Sequence, residues 1–143
     1  MQTIELRYGS DIALPSLFGL YTAVGWTSYT RDKDSLAAAI ANSSYVVTAW
    51  NADRLVGLAR TISDDVAICY LQDILVHPDY QRQGIGERLL RACLDRYGHV
   101  RSKVLLTDNE QRQHDFYEKL GFRNIQDVAS AKLNSFVQID GVD

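Results

Sequence analysis

With 143 residues, 46% of them hydrophobic and 23% charged, the chain can build one sizeable core but not two domains of usual size, so a single domain over residues 1–143 is expected. A formal net charge of -3 argues against a nucleic-acid surface. No apolar run approaches the ~18 residues of a membrane span, which excludes a membrane partner of that kind.

The opening Met1-Gln2-Thr3-Ile4-Glu5-Leu6-Arg7 has no basic start followed by a long apolar run, unlike a secretion signal. Cys69 and Cys93 each sit inside an apolar segment. They read as buried free thiols in a reducing cytoplasm. His77, His99 and His114 show no metal-ligand spacing with each other or with the cysteines, and no metal is expected.

Ile4, Leu6 and Tyr8 alternate with polar residues, which predicts a first strand ending at Gly9. A helix follows Pro15, carries Leu17, Leu20, Tyr21 and Val24, and stops at Gly25. Asp32 or Asp34 caps a second helix through Leu36–Ala41. Strands at Tyr45–Trp50 and Leu55–Ile62 flank a short polar loop, Asn51–Arg54, and read as a hairpin. Val66–Val76 completes an antiparallel meander. Further strands are expected at Lys103–Thr107, Phe122–Asp127 and Lys132–Ile139, and a helix at Gln111–Leu120 ends at Gly121.

The chain is organised around Val66–Leu94: an apolar strand, the turn His77-Pro78-Asp79, the run Gln81-Arg82-Gln83-Gly84-Ile85-Gly86, and an amphipathic helix with Ile85, Leu89, Leu90, Cys93 and Leu94 on one face. Gly84 and Gly86 lack a Cβ and stand where a helix leaves N–H groups unpaired, so the turn suits an anion. Arg82, Arg88 and Arg91 are expected to gather there, which points to a phosphate-bearing ligand. Position 89 is Leu, against the dinucleotide pattern G-x-G-x-x-G, and no Gly-Lys-Ser/Thr is present for a P-loop.

The spacing Gln81-x-x-Gly84-x-Gly86 after Leu75-Val76-His77-Pro78 resembles the pyrophosphate-binding motif of the GNAT superfamily of acyl-CoA N-acyltransferases. Asp115-Phe116-Tyr117-Glu118-Lys119-Leu120-Gly121-Phe122 is similar to that superfamily's tyrosine-bearing helix and the turn after it. The resemblance implies a mixed α/β fold, with a mainly antiparallel sheet whose central strands splay and whose faces carry helices. It implies transfer of an acetyl group from acetyl-CoA to a primary amine of a small molecule or peptide, by direct attack in a ternary complex. A non-catalytic acyl-CoA sensor or a scaffold of the same fold is the alternative.

On that resemblance Ile74, Leu75 and Val76 offer backbone groups to the pantetheine arm, and Gln81, Arg82, Gln83, Gly84, Ile85 and Gly86 cradle the pyrophosphate. Asn109 is a further cofactor contact, although the family's asparagine position is occupied here by Glu110. Tyr117 matches the acid that serves the leaving thiolate. Asp73 shares a face with Leu75 and is the candidate base, with Asp108 and the Gln72 carbonyl as rivals. Tyr21, Trp26 and Tyr29 are the candidate aromatic wall of the acceptor pocket. The exposed edges of such sheets favour a homodimer.

Overall fold

The computed structural model describes residues 3–128 and 133–141. It divides into two units, Met1–Leu106 and Thr107–Asp143. In the first unit the elements run β1 (Ile4–Tyr8), α1 (Leu14–Ala23), α2 (Thr27–Thr30), α3 (Lys33–Ala41), β2 (Tyr45–Asn51), β3 (Arg54–Ser63), β4 (Ile68–Val76), a 3-10 turn (Pro78–Tyr80), α4 (Ile85–Arg96) and β5 (Ser102–Leu105). One sheet takes the strands in sequence order. β1 to β4 pair antiparallel, and β5 lies parallel to β4 after the crossover through α4.

Local chemistry sets the helix ends. Pro15 occupies the first turn of α1, where its missing N–H costs nothing. At the other end Gly25 adopts φ +78°, its N–H donates to the Thr22 carbonyl, and the Trp26 N–H donates to the Tyr21 carbonyl. This paired closure needs a left-handed residue, and glycine supplies it. Asp32, not Asp34, caps α3, accepting from the N–H groups of Asp34 and Ser35 at 3.1 Å each.

Two extra residues decide which way the central strands face. Ala49 pairs with Gly57 but Trp50 pairs with Leu55, so Val56 is inserted in β3. Arg60 pairs with Asp73 but Thr61 pairs with Leu71, so Gln72 is inserted in β4. Side chains two apart on a regular strand share a face, and a bulge resets that phase. Leu71 therefore shares the face of Thr61, whose hydroxyl bonds the Tyr97 hydroxyl at the end of α4. Asp73 shares the opposite face with Arg60, toward α1 and α3.

The α1/α3 face carries a core of Leu17, Leu20, Tyr21, Leu36, Ile40, Leu55, Leu58 and Leu75. On the other face α4 lies so close to β3 that a Cβ built on Gly57 would meet Leu89 Cδ1 at 3.1 Å, Ile85 Cγ2 at 3.2 Å and Ala49 Cβ at 3.3 Å. Only glycine lets the helix settle at this depth.

In the second unit α5 spans Gln111–Lys119 and a 3-10 turn spans Ile125–Asp127. The strand expected at Phe122–Asp127 is not formed. Its apolar residues, Phe122 and Ile125, are three apart, which is the 3-10 period and not the strand period, and the Asn124 side chain caps the turn by accepting from the Gln126 N–H. Residues 133–139 form no strand either, and Leu133, Phe136, Val137 and Ile139 are exposed. Lys132, the expected start of that strand, lies outside the described residues.

Gly57→Val is expected to destabilise the protein by about 1–3 kcal/mol through overpacking against Ile85 and Leu89. Urea denaturation followed by circular dichroism reads the change, and an unaltered midpoint would mean that α4 gives way freely.

Candidate active site

β4 meets β5 only from Ile68 to Leu71, so the inserted Gln72 stands where the parallel pairing stops. The His77 N–H donates to the Val56 carbonyl at 2.8 Å. Antiparallel neighbours alternate between bonded and non-bonded pairs, so the pairs Leu58–Leu75 and Arg60–Asp73 face each other across the ladder. Ile74 and Val76 accordingly turn their backbone groups away from β3. Leu75, expected to act with them, turns its backbone into the ladder and its side chain into the core.

Beyond β4 the chain is held in a fixed turn. His77 Nδ1 accepts from the Asp79 N–H at 3.1 Å, and Tyr80 is buried with its hydroxyl accepting from Asn51 Nδ2 at 2.8 Å. Gln81 Nε2 donates to the Val76 carbonyl at 3.0 Å, which ties the turn to the strand end. Arg82 and Gly84 then adopt φ +63° and +79°.

Gly84 caps α4 without any side-chain hydrogen bond, and nothing lies within 4 Å of where its Cβ would be. The first N–H groups of α4, from Ile85 and Gly86, have no partner within the helix. With the helix dipole behind them they suit a phosphate. Of the three arginines expected here, Arg82 is exposed at the turn. Arg88 Nη1 instead donates to the Ile4 carbonyl at 3.1 Å, and Arg91 pairs with Glu87 at 3.5 Å, because successive turns of α4 carry them away from its start. Gln83 is exposed between Arg82 and Gly84.

The opposite face of β4 holds a polar cluster inside the apolar core. Asp73 Oδ2 accepts from Tyr21 Oη at 2.9 Å and from Arg60 Nε at 2.5 Å, and Oδ1 accepts from Tyr29 Oη at 2.7 Å. Arg60 also donates through Nη1 to the Ala39 carbonyl and Ser43 Oγ, and through Nη2 to Tyr29 Oη. The Tyr29 hydroxyl accepts once more, from Gln72 Nε2 at 3.2 Å. Asp73 and Arg60 are 3% and 6% exposed. A buried pair this well served by donors is costly to break on one side, because the remaining charge loses its partner.

Asp73 is thus an ion-paired acceptor of three hydrogen bonds, unlike the open carboxylate that a base requires. Burial first, then the Asp73 charge, raises the phenols of both Tyr21 and Tyr29. Burial works most strongly against the Arg60 charge, yet the charge and hydrogen bond of Asp73 together with Tyr29 outweigh it and the guanidinium is raised. Tyr21 is 0% exposed, so it backs the aromatic group and does not line it. The half-buried rings of Trp26 and Tyr29 lie 6.0 Å and 5.0 Å from the Tyr21 ring.

Arg60 is absent from the sequence expectations. Its signal was a single charge inside the otherwise apolar run Leu55-Val56-Gly57-Leu58-Ala59-Arg60-Thr61-Ile62, where a charged residue is buried only with a partner.

In the second unit Tyr117 is 7% exposed. Burial pushes its phenol up to about 12. Gly121, at φ +94°, closes α5 as Gly25 closes α1: the Phe122 N–H donates to the Tyr117 carbonyl at 3.0 Å, and the two rings lie 5.8 Å apart. Glu110 is the N-cap position of α5, without a side-chain bond, and Asn109 is exposed just before it. Asp108 is exposed as well. Among the described residues no group of three or more His, Cys, Asp or Glu side chains is placed to hold a metal, and no helix is long and apolar enough to cross a membrane.

Comparison with known proteins agrees with this geometry. Residues 20–139 match the family described as acetyltransferase (GNAT) domain. The chain belongs to the GNAT acetyltransferase family.

It is 34% identical over 138 residues to histone acetyltransferase TAP1 of Glycine max, covering 85% of this chain and 57% of that protein. It is 33% identical over 146 residues to GCN5-related N-acetyltransferase 2, chloroplastic, of Arabidopsis thaliana, covering 85% and 54%. The chain therefore spans little more than half the length of these two relatives. A GNAT-family acetyltransferase structure from Streptococcus pneumoniae TIGR4 superposes with a TM-score of 0.82 at 27% identity, covering 98% of this chain and all of that one.

The buried phenol of Tyr117 and the buried thiol of Cys93, both raised to about 12 chiefly by burial, make alkaline stability testable. Each group stays neutral in the folded chain, while the unfolded chain ionises its tyrosines near 10 and its cysteines near 9. Their stabilisation is therefore fully present below pH 9 and is lost as pH rises toward 12. Urea midpoints are expected to fall steadily from pH 9 to 11, and a flat profile over that range would contradict the burial.

Proposed function

We propose that this protein is an acetyl-CoA-dependent N-acetyltransferase that acts on a primary amine of a small molecule or peptide by direct attack in a ternary complex. The observation that carries this reading is the start of α4, where the left-handed Gly84 opens onto helix N–H groups that no side chain caps. Those donors, with the exposed Arg82 two residues before Gly84, fit the pyrophosphate of acetyl-CoA. The backbone groups of Ile74 and the N–H of Val76, turned away from β3 where β5 has left the sheet, fit the amide-bearing pantetheine arm.

Acetyl-CoA supplies an activated acyl carbon and a thiolate leaving group. The Ile74 N–H is the chain's donor for the oxygen that gains charge when the amine attacks, a term worth ~3 kcal/mol where such donors are preorganised. An alkylamine of pKa about 10.4 must first lose a proton to solvent water, at a cost of roughly 4 kcal/mol at neutral pH. Tyr117, proposed on the motif alone, stays protonated and donates toward the departing sulfur. Its raised pKa makes complete transfer to a thiolate unfavourable, so its part is a hydrogen bond that strengthens as the C–S bond breaks. The free, buried thiols Cys69 and Cys93 suit a cytoplasmic setting.

The direct test is release of free thiol from acetyl-CoA in the presence of 2-phenylethylamine, spermidine or a lysine-bearing peptide. Amine-dependent release with at least one of them is expected, and Tyr117→Phe is expected to slow it tenfold or more at unchanged acetyl-CoA affinity. Full turnover in Tyr117→Phe would remove the hydroxyl from the chemistry. Binding without turnover for all amines would favour the sensor reading.

Gly84→Val is expected to weaken acetyl-CoA binding at least tenfold by calorimetry. It also costs roughly 1–2 kcal/mol of stability, because a β-branched residue is forced into the left-handed region. Normal affinity of the folded variant would place the anion elsewhere.

A further inference from the structure

The strand face opposite α4 carries a second arrangement that the transfer chemistry does not use. Three aromatic rings, from Tyr21, Trp26 and Tyr29, converge with centroids 5.0–6.2 Å apart. They come from the end of α1, the connection after it and the four-residue α2. A one-turn helix is too short to hold itself. Its order must come from what its side chains grip.

The grip is polar and comes from the sheet. The Tyr21 and Tyr29 hydroxyls both donate to Asp73, one to each oxygen. Arg60 donates to Asp73, to the Tyr29 hydroxyl, to the Ala39 carbonyl in the last turn of α3 and to Ser43 Oγ. One ion pair between directly opposed residues of β3 and β4 thus fastens α1, α2 and α3 together.

The Tyr29 hydroxyl has one donor and two acceptor sites, and all three are filled, by Asp73, Arg60 and Gln72. The Trp26 backbone donates to the Tyr21 carbonyl and accepts from the Tyr29 and Thr30 N–H groups, while its ring meets the cluster through aromatic contacts. Its place is set by the ring contacts to Tyr21 and Tyr29 and by the Gly25 closure.

We propose that Arg60 and Asp73 are positioning residues for the acceptor side of the site: the pair holds the Tyr21 and Tyr29 hydroxyls and thereby fixes the ring of Trp26 that contacts the acceptor, and Asp73 takes no proton from the amine. The inference rests on the transferase reading only for its acceptor. The clamp itself is a property of the folded chain.

The groups facing Asp73 are Tyr21 from α1, Tyr29 from α2, Arg60 from β3 and Tyr70 from its own strand. All three tyrosines are raised, and so is Arg60. The three phenols and the guanidinium therefore keep their protons through the neutral range.

The test uses Trp26 as its own reporter. In a Trp50→Phe background Trp26 is the remaining indole, since the chain has two tryptophans, and acrylamide quenching reads its exposure. Asp73→Asn and the milder Tyr29→Phe, which removes one hydroxyl from a half-buried ring, are each expected to raise the quenching constant at least twofold in samples that are folded by circular dichroism. The pair Arg60→Gln with Asp73→Asn restores a neutral hydrogen-bonded cluster and is expected to recover most of the protection. Unchanged quenching in Tyr29→Phe would overturn the clamp, even if Asp73→Asn failed to fold.

A kinetic arm with acetyl-CoA and 2-phenylethylamine separates positioning from base catalysis. Asp73→Asn is expected to raise KM for the amine about tenfold, to leave kcat within about threefold and to keep the pH dependence of kcat unchanged. A fall in kcat of a hundredfold or more with loss of its ionisation would make Asp73 the base and overturn the assignment. A wild-type protein that bound no acetyl-CoA would sink the transferase reading alone, because the quenching experiment needs neither donor nor acceptor.

Discussion

One inserted residue, Gln72, sets the conditions for everything else in the first unit. It breaks the two-residue period of β4, so that Leu71 faces the α4 side and Asp73, two positions on, faces α1 and α3. Pairing with β5 stops at the same place. The upper half of β4 consequently has one edge bound to β3 and another turned toward no strand of this sheet. A slip in register thus creates both the backbone edge proposed for the pantetheine arm and the buried position that Asp73 occupies.

The buried pair that follows from this slip is a question of geometry before it is one of energy. An ion pair removed from water adds little net stability over apolar residues of the same shape, whereas either partner alone is strongly unfavourable. What the Arg60–Asp73 pair supplies is direction. Its donors and acceptors are committed to two hydroxyls and one carbonyl on three separate helices and to Ser43 just beyond α3, which an apolar pair cannot specify. A sliding or rotated α2 would take the Tyr29 hydroxyl from Asp73 Oδ1 and from Arg60 Nη2, so the loop after α1 has a well-defined place.

Much of the fold was legible because the elements have local causes. Pro15, Asp32, Gly25 and Gly121 mark helix ends for reasons that reside in one or two residues, and the glycine-rich run before α4 carried its left-handed Gly84 openly. Tyr21-x-x-x-Gly25-Trp26 and Tyr117-x-x-x-Gly121-Phe122 are the same closure written twice: a tyrosine in the last turn, a left-handed glycine, then an aromatic whose N–H returns to the tyrosine carbonyl. The two bulges were not legible. β3 is buried almost throughout, and a strand buried on both faces shows no alternation for a slip to disturb. Arg60 and Asp73 could be suspected separately, but only the register makes them directly opposed. The strand expected at Phe122–Asp127 does not form because its apolar residues, Phe122 and Ile125, recur at the 3-10 period.

The central claim is that an anion is received by the first N–H groups of α4. Backbone amide chemical shifts recorded by heteronuclear NMR during titration with acetyl-CoA test it most directly. The account predicts that the amides of Ile85 and Gly86, with those of Ile74 and Val76 along β4, move furthest, while the amide of Leu75 moves less than its two neighbours. Saturable shifts that leave Ile85 and Gly86 in place, or no shifts at all in the folded protein, would contradict it.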